Sequence, residues 1–217
     1  MPALAAAGYP ALPDRPRVLV PVGATEQHGP HLPLSTDTVI AEHAAHRAAH
    51  RTGAWVAPAI AFGASGEHQG FPGVCSIGTT VLTHTLVELT RSLTLWAGEV
   101  VFVNGHGGNV PALRAAVDLV RAEGRSVRWL PCLAPGDAHA GFTETSLMLH
   151  LAPETVALAD AAPGNTEPLA DLWDRLRDEG IRAVSENGVL GDPTGAHAEA
   201  GAELFDDMVN RLIDDLT

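Results

Sequence analysis

The sequence predicts an α/β fold: a single domain with a largely parallel sheet and helices on both faces. Short apolar runs typical of buried strands alternate along the chain with stretches of helical periodicity. The composition agrees, because 217 residues that are 46% hydrophobic and 18% charged can bury one core without disulfides. We therefore expect one domain over residues 1–217.

The elements follow from local pattern. Residues 17–23 are an apolar run ended by glycine, which predicts a strand, and the Ala-rich residues 38–50 predict a helix. Further strands are expected at residues 55–60, 99–103 and 126–130. Further helices are expected at residues 83–96, from Pro111 onward, and at residues 144–151, 169–176 and 204–213. The Gly-rich residues 62–78 predict an irregular loop.

Charge limits the classes of partner. The 26 acidic and 13 basic residues give a net charge of −13, which argues against binding to nucleic acid or to an anionic membrane. Two cysteines do not make a disulfide framework, and Pro10, Pro13 and Pro16 interrupt any signal-peptide-like run. We expect a cytoplasmic protein that binds small molecules, peptides or cations.

Glu26, His28 and Asp37 lie in a polar segment that follows the first predicted strand. Glu26 and His28 are separated by one residue, so extended backbone points both side chains to the same side. Asp37 opens the next predicted helix. Carboxylate and imidazole groups suit a divalent ion such as zinc, iron or manganese, and a bridging aspartate can hold two ions. Helix capping and turn formation are the competing interpretation.

A second polar segment has His106 at its centre, directly after the apolar run at residues 99–103. Gly107 and Gly108 allow a ligand to approach the backbone closely, so we predict that they contact substrate. A Gly-rich turn with a hydrogen-bonded histidine is the alternative. These glycines do not match a phosphate-binding fingerprint.

Two more segments carry candidate functional side chains. His139 follows the last predicted strand and is a candidate catalytic residue, as a proton carrier or as an anchor for a developing oxyanion. Glu144, at a predicted helix start, is a candidate catalytic residue and metal ligand, although the helix dipole alone would favour a carboxylate there. Residues 63–73 have the composition of a substrate-contacting loop, with His68 as its candidate binding residue.

Taken in order, these segments resemble the creatininase-like amidohydrolase family. The resemblance covers residues 18–151, with a further similar run at residues 187–193. It implies a single α/β domain with a parallel sheet, assembled into a homo-oligomeric ring. By resemblance, Glu26, His28, Asp37 and His106 are metal ligands, with Asp37 as the bridge. The implied cofactor is one or two divalent ions per chain, Zn²⁺, Fe²⁺ or Mn²⁺.

Gly108 departs from the pattern of creatininase itself, which has a carboxylate two positions after its equivalent of His106. This difference argues against creatinine as the substrate. It also implies that Glu144, or water, completes the shell of a second ion.

Within the family, residues 63–73, 137–149 and 187–193 are similar to those of peptidases that trim a modified precursor peptide. The resemblance implies removal of a C-terminal Val-Tyr dipeptide during the biosynthesis of a redox cofactor. The placement of the candidate ligands at strand ends suggests hydrolysis by metal-activated water, with His139 stabilising the tetrahedral intermediate or protonating the leaving amine. A hydrolase or deformylase acting on a small cyclic or heterocyclic amide is one alternative. A non-catalytic metal-binding protein is the other.

Overall fold

The four strands form one parallel sheet in this computed structural model, which describes residues 3–217. Met1 and Pro2 of the predicted domain lie outside the described residues. The strands are β1 (Arg17–Val22), β2 (Trp55–Val56), β3 (Glu99–Asn104) and β4 (Val127–Pro131), in the order β2-β1-β3-β4. All neighbouring pairs are parallel, as the alternation of strands and helices predicts.

The register places the ends of the central strands side by side. Val22, Asn104 and Pro131 close β1, β3 and β4 at one edge of the sheet, with Val22 opposite Asn104 and Asn104 opposite Pro131. The polar segments after β1 and β3 therefore emerge next to each other. In open parallel sheets, ligands bind beyond this carboxyl edge.

Residues 3–217 contain six α-helices. They are α1 (Thr36–Thr52), α2 (Gly78–Leu93), α3 (Val110–Ala122), α4 (Phe142–Leu151), α5 (Leu169–Glu179) and α6 (Ala198–Leu216). All but α5 cover the two faces of the sheet, which confirms the predicted architecture. Leu19 and Val101 point to a core shared with α1, α4 and α6. Val20 and Phe102 point to the opposite core, shared with α2 and α3. Successive strand residues alternate between the two faces, so both faces of the strands are apolar.

Several element boundaries differ from the sequence prediction, among them those of β2 and α2. Strand β2 covers two residues instead of residues 55–60, because Pro58 has no backbone N–H to donate to the sheet. The ladder resumes at Ile60, whose N–H donates to the Pro21 carbonyl at 2.9 Å. Helix α2 begins at Gly78, before the predicted start at residue 83. The prediction started too late because the first turn of the helix is exposed and lacks apolar periodicity.

A small third cluster packs the loop at residues 62–78 onto the rest of the molecule. Leu172 of α5 joins Ile181, Val184 and Leu190 in this cluster, with Phe71 of the loop against it. The loop contains one short 3-10 turn, Gly66–His68, where the sequence predicts no regular structure. No helix within residues 3–217 is long and apolar enough to cross a membrane.

Candidate active site

Asp37 is brought to the carboxyl edge of the sheet by two close approaches of α1. A Cβ atom on Gly23, at the end of β1, would lie 2.5 Å from the Cα atom of Thr38. A Cβ atom on Gly105, after β3, would lie 2.6 Å from the Asp37 carbonyl oxygen. Only glycine permits this packing at both strand ends. The first turn of α1 therefore sits between the segments that carry Glu26 and His106.

Glu26, Asp37 and His106 form a first group of buried side chains, called here the Glu26 group. Their ligand atoms all lie within 4.8 Å of one another. The His106 Nδ1 atom lies 3.2 Å from Glu26 Oε1 and 3.3 Å from Asp37 Oδ2. Three ligand atoms that converge at the end of a sheet fit a divalent metal ion.

His28, Asp37 and Glu144 form a second group, called here the Glu144 group. The His28 Nε2 atom lies 3.1 Å from Asp37 Oδ1 and 3.9 Å from Glu144 Oε2. Asp37 thus turns one oxygen toward each histidine, His28 on one side and His106 on the other. This geometry supports Asp37 as a carboxylate shared between two ions.

The chemistry of the donor set fits a bound cation. Among the described residues, both carboxylate oxygens of Glu26 and the Oδ2 atom of Asp37 are buried without a hydrogen-bond partner. The neighbouring imidazole nitrogens approach these oxygens, but they are not aligned as hydrogen-bond donors. Buried anionic oxygens without donors are costly unless a positive charge compensates them. Carboxylate and imidazole ligands suit zinc, iron or manganese.

The protonation states show how strongly the site attracts positive charge. Burial alone would lower the pKa of His28, but the charge of Asp37 and their hydrogen bond outweigh it and raise the pKa to about 10. Burial also opposes the charged form of His106, yet Glu26 and Asp37 raise its pKa well above the usual value. Only neutral imidazole binds a metal, so an ion entering the site displaces these protons.

His139 lies against the same centre and is neutral. Burial has the largest effect on the pKa of His139, and the charges of His28 and His68 have the next largest. Together they hold this pKa well below its usual value. The His139 ring centroid lies 4.4 Å from that of His28, and its Nδ1 atom lies 3.9 Å from Glu144 Oε2. A neutral imidazole next to a metal site can accept and return a proton.

Glu144 is held in place by the backbone of the turn that precedes α4. Ala140 has a positive φ of 53°, which is uncommon for a residue other than glycine, and its N–H donates to Glu144 Oε2 at 2.6 Å. Burial raises the pKa of Glu144 to about 7, against the opposing charge of His28. The strained turn aims the carboxylate at His28 and Asp37.

The structure brings together the metal-ligand and catalytic candidates of the sequence, which are Glu26, His28, Asp37, His106, His139 and Glu144. Of the substrate-binding candidates, His68 is buried at the same centre, with its Nε2 atom 3.3 Å from Glu26 Oε1. Gly107 has open space where a side chain would be. Gly108 instead faces protein atoms.

Glu67 lies beside Gly108 and was missed by the sequence analysis. A Cβ atom on Gly108 would lie 2.5 Å from Glu67 Oε1 and would also collide with the Ala64 carbonyl oxygen and His106 Nε2. Glu67 Oε1 itself lies 3.5 Å from His106 Nε2. A carboxylate therefore occupies the space next to His106 that a side chain at position 108 would fill. The amino-acid composition of residues 63–73 indicates a substrate-contacting loop, but it does not show which way the Glu67 side chain points.

Comparison with known proteins agrees with the site. The family model described as creatinine amidohydrolase matches residues 5–216. This chain belongs to the creatininase family. Its family assignment confirms the resemblance found in the sequence, and it makes the chain a hydrolase that acts on an amide bond.

Relatives within the creatininase family include peptidases and creatininases. The mycofactocin precursor peptide peptidase of Mycolicibacterium smegmatis is 56% identical over 206 residues, which cover 92% of this chain and 83% of the relative. The Mycobacterium tuberculosis protein of the same name is 53% identical over 209 residues, with 91% and 83% coverage. The creatinine amidohydrolase of Pseudomonas putida is 31% identical over 172 residues, with 65% and 66% coverage.

Solved creatininases share the fold. A manganese form has a TM-score of 0.78 at 28% identity and covers 93% of this chain and 90% of its own. A mutant creatininase of the Zn-Zn type has a TM-score of 0.77 at 27% identity, with the same coverage. Divalent metal in these members agrees with the two ligand groups that share Asp37.

Proposed function

We propose that this chain is a metal-dependent peptidase that removes a C-terminal Val-Tyr dipeptide from the modified mycofactocin precursor peptide. Identities of 53–56% with peptidases of that name, over most of both chains, support the substrate. The shared Asp37 carboxylate between two ligand groups carries the proposal of metal dependence. We further propose that the protein works as a cytoplasmic homo-oligomer, as the family resemblance implies.

Glu26, His28, Asp37, His106 and Glu144 would hold one or two ions of zinc, iron or manganese. When bound, such ions polarise a carbonyl oxygen and make water more acidic. The carboxylates and imidazoles hold this charge at the end of the sheet, in a buried position where electrostatic effects on a reacting group are strong.

His139 is the residue placed to move a proton during amide hydrolysis. Its Nε2 atom lies 2.8 Å from the main-chain oxygen of Gln27, so Nε2 carries the ring hydrogen and Nδ1 has the free lone pair. Nδ1 can accept a proton from attacking water and deliver it to the leaving amine. Hydrolysis of a peptide bond requires both transfers.

The test combines metal analysis with mass spectrometry of the modified precursor peptide. We expect one or two ions per chain and a product lighter by the mass of Val-Tyr. Creatinine and other cyclic amides serve as comparison substrates. Metal without peptide cleavage, together with turnover of a cyclic amide, would reassign the substrate. A protein that takes up no metal on reconstitution would contradict the proposed function.

A further inference from the structure

Gln27 is buried between two metal-ligand candidates, and its side-chain orientation is fixed by two main-chain groups. It is 4% exposed. Its Oε1 atom accepts a hydrogen bond from the Gly29 N–H at 2.9 Å, and its Nε2 atom donates to the Gly188 carbonyl at 3.1 Å. An N–H can only donate and a carbonyl can only accept, so the two ends of the amide cannot be exchanged.

The main-chain carbonyl of Gln27 sets the tautomer of His139. This carbonyl lies 2.8 Å from His139 Nε2, which must therefore carry the ring hydrogen. Nε2 then has no lone pair for the Gln27 amide, which lies 3.2 Å away. The second amide hydrogen of Gln27 remains for another acceptor.

That acceptor is His68. The Gln27 Nε2 atom lies 3.0 Å from His68 Nδ1, so Nδ1 receives the hydrogen bond and carries no hydrogen. The neutral His68 ring then has its hydrogen on Nε2, which faces Glu26 Oε1 at 3.3 Å. The ring hydrogen of His68 thus lies on the nitrogen nearer to Glu26, whose carboxylate has no aligned donor among the described residues.

We propose that Gln27 is a positioning residue that fixes the tautomers of two active-site histidines. Its side chain places the His68 ring hydrogen on Nε2, the nitrogen nearer to Glu26, and its main chain leaves the Nδ1 lone pair of His139 free. Partners around a metal ligand tune affinity and orientation by this kind of contact. The effect on catalysis rests on the proposed function, whereas the tautomers can be measured without any substrate.

The experiment uses zinc-loaded protein with ¹⁵N-labelled histidine, because zinc is diamagnetic. Long-range ¹H–¹⁵N spectra distinguish protonated from unprotonated ring nitrogens, and a His68→Gln variant assigns the signals of His68. In the unmodified protein we expect hydrogen on Nε2 of both His68 and His139. The inference is wrong if His68 carries its hydrogen on Nδ1.

The Gln27→Glu substitution keeps nearly the same side-chain shape. It replaces the N–H donors of the amide with a carboxylate oxygen that can only accept hydrogen bonds. We expect the His68 hydrogen to move to Nδ1 while His139 keeps its tautomer, because the main-chain carbonyl of residue 27 is unchanged. Zinc affinity should fall about 10- to 100-fold, the range known for partners of metal ligands. An unchanged His68 tautomer would overturn the proposal.

Gln69→Glu is the matched control, because it adds the same charge on an exposed neighbour of His68. It should leave the His68 tautomer and the zinc affinity unchanged. If Gln27→Glu does not fold, Gln27→Met removes the donor without adding charge. The His68 Nδ1 signal should then lose its hydrogen-bond shift, and an unmoved signal would contradict the role of Gln27. Correct tautomers without peptide cleavage would disprove the proposed function alone.

Discussion

The two ligand groups have the same chemical composition but differ in how far the protein already satisfies them. Each contains one histidine, the shared Asp37 and one glutamate. In the Glu144 group, Ala140 donates to Glu144, and His28 is hydrogen-bonded to Asp37 Oδ1. In the Glu26 group, neither oxygen of Glu26 has an aligned donor among the described residues.

This difference indicates an order of metal affinity. An ion in the Glu26 group compensates buried charge that the protein leaves unsatisfied, which is a large gain. An ion in the Glu144 group must first replace the hydrogen bond between His28 and Asp37. We therefore expect the Glu26 group to bind the tighter ion, although the two groups look equivalent by residue type.

Asp37→Asn should have the largest effect, because it breaks both groups at once. The amide keeps the shape of the side chain but loses the charge that faces His28 and His106. We expect the metal content to approach zero and peptide cleavage to fall about 10³-fold or more, since metal ions contribute several kcal/mol to such reactions. Metal analysis and a cleavage assay measure both.

Asp118→Asn is the control for this change. Asp118 is exposed on α3, so this variant carries the same substitution at a position away from the site. It should keep full metal content and activity. If Asp37→Asn retained two ions per chain, Asp37 would not be the shared ligand.

His106→Ala and His28→Ala test the order of affinity directly. His28→Ala should keep the tight ion of the Glu26 group, whereas His106→Ala should lose it and keep only the weaker one. Each should reduce activity about 100-fold or more, because a proton-transfer or Lewis-acid contribution of that size is lost. Metal titration against a chelator distinguishes the variants, and equal losses of tight binding would refute the proposed order.

The candidate ligands near strand ends could be predicted from the sequence because a parallel sheet gathers such side chains at one edge. Glu26 and His106 follow β1 and β3, whose carboxyl ends lie side by side. Asp37 opens the helix after β1, and the close packing of that helix on Gly23 and Gly105 keeps it at the same edge. The placement of these side chains at one edge follows from topology, whereas the sequence pattern alone left helix capping open and the ligand set came from the family resemblance.

Gln27 and Glu67 were not predicted because their roles depend on distant packing. Gln27 is held by the carbonyl of Gly188, 161 residues along the chain. Glu67 belongs to a turn whose loop is packed by the small cluster around Leu172. Neither contact leaves a local periodic signal. The short β2, in contrast, could have been predicted, since Pro58 is visible in the sequence.

Gly108→Ala should have a smaller effect than loss of a ligand, and it tests whether the loop supports the Glu26 group. The new Cβ atom would collide with the Ala64 carbonyl oxygen and with His106 Nε2. These two atoms already lie 3.3 Å apart. We expect a loss of about 1–3 kcal/mol in stability, typical of overpacking, and weaker metal binding. Thermal unfolding and metal titration measure these changes.

Gly107→Ala sharpens this comparison, because the adjacent glycine has open space at the corresponding position. This substitution should leave the unfolding temperature and metal content unchanged. If substrate lies against the backbone there, as the sequence predicts, the methyl group should raise KM while kcat changes little. An equal loss of metal in both variants would mean that the Gly-rich segment as a whole, and not the contact of Gly108 with the loop, positions His106.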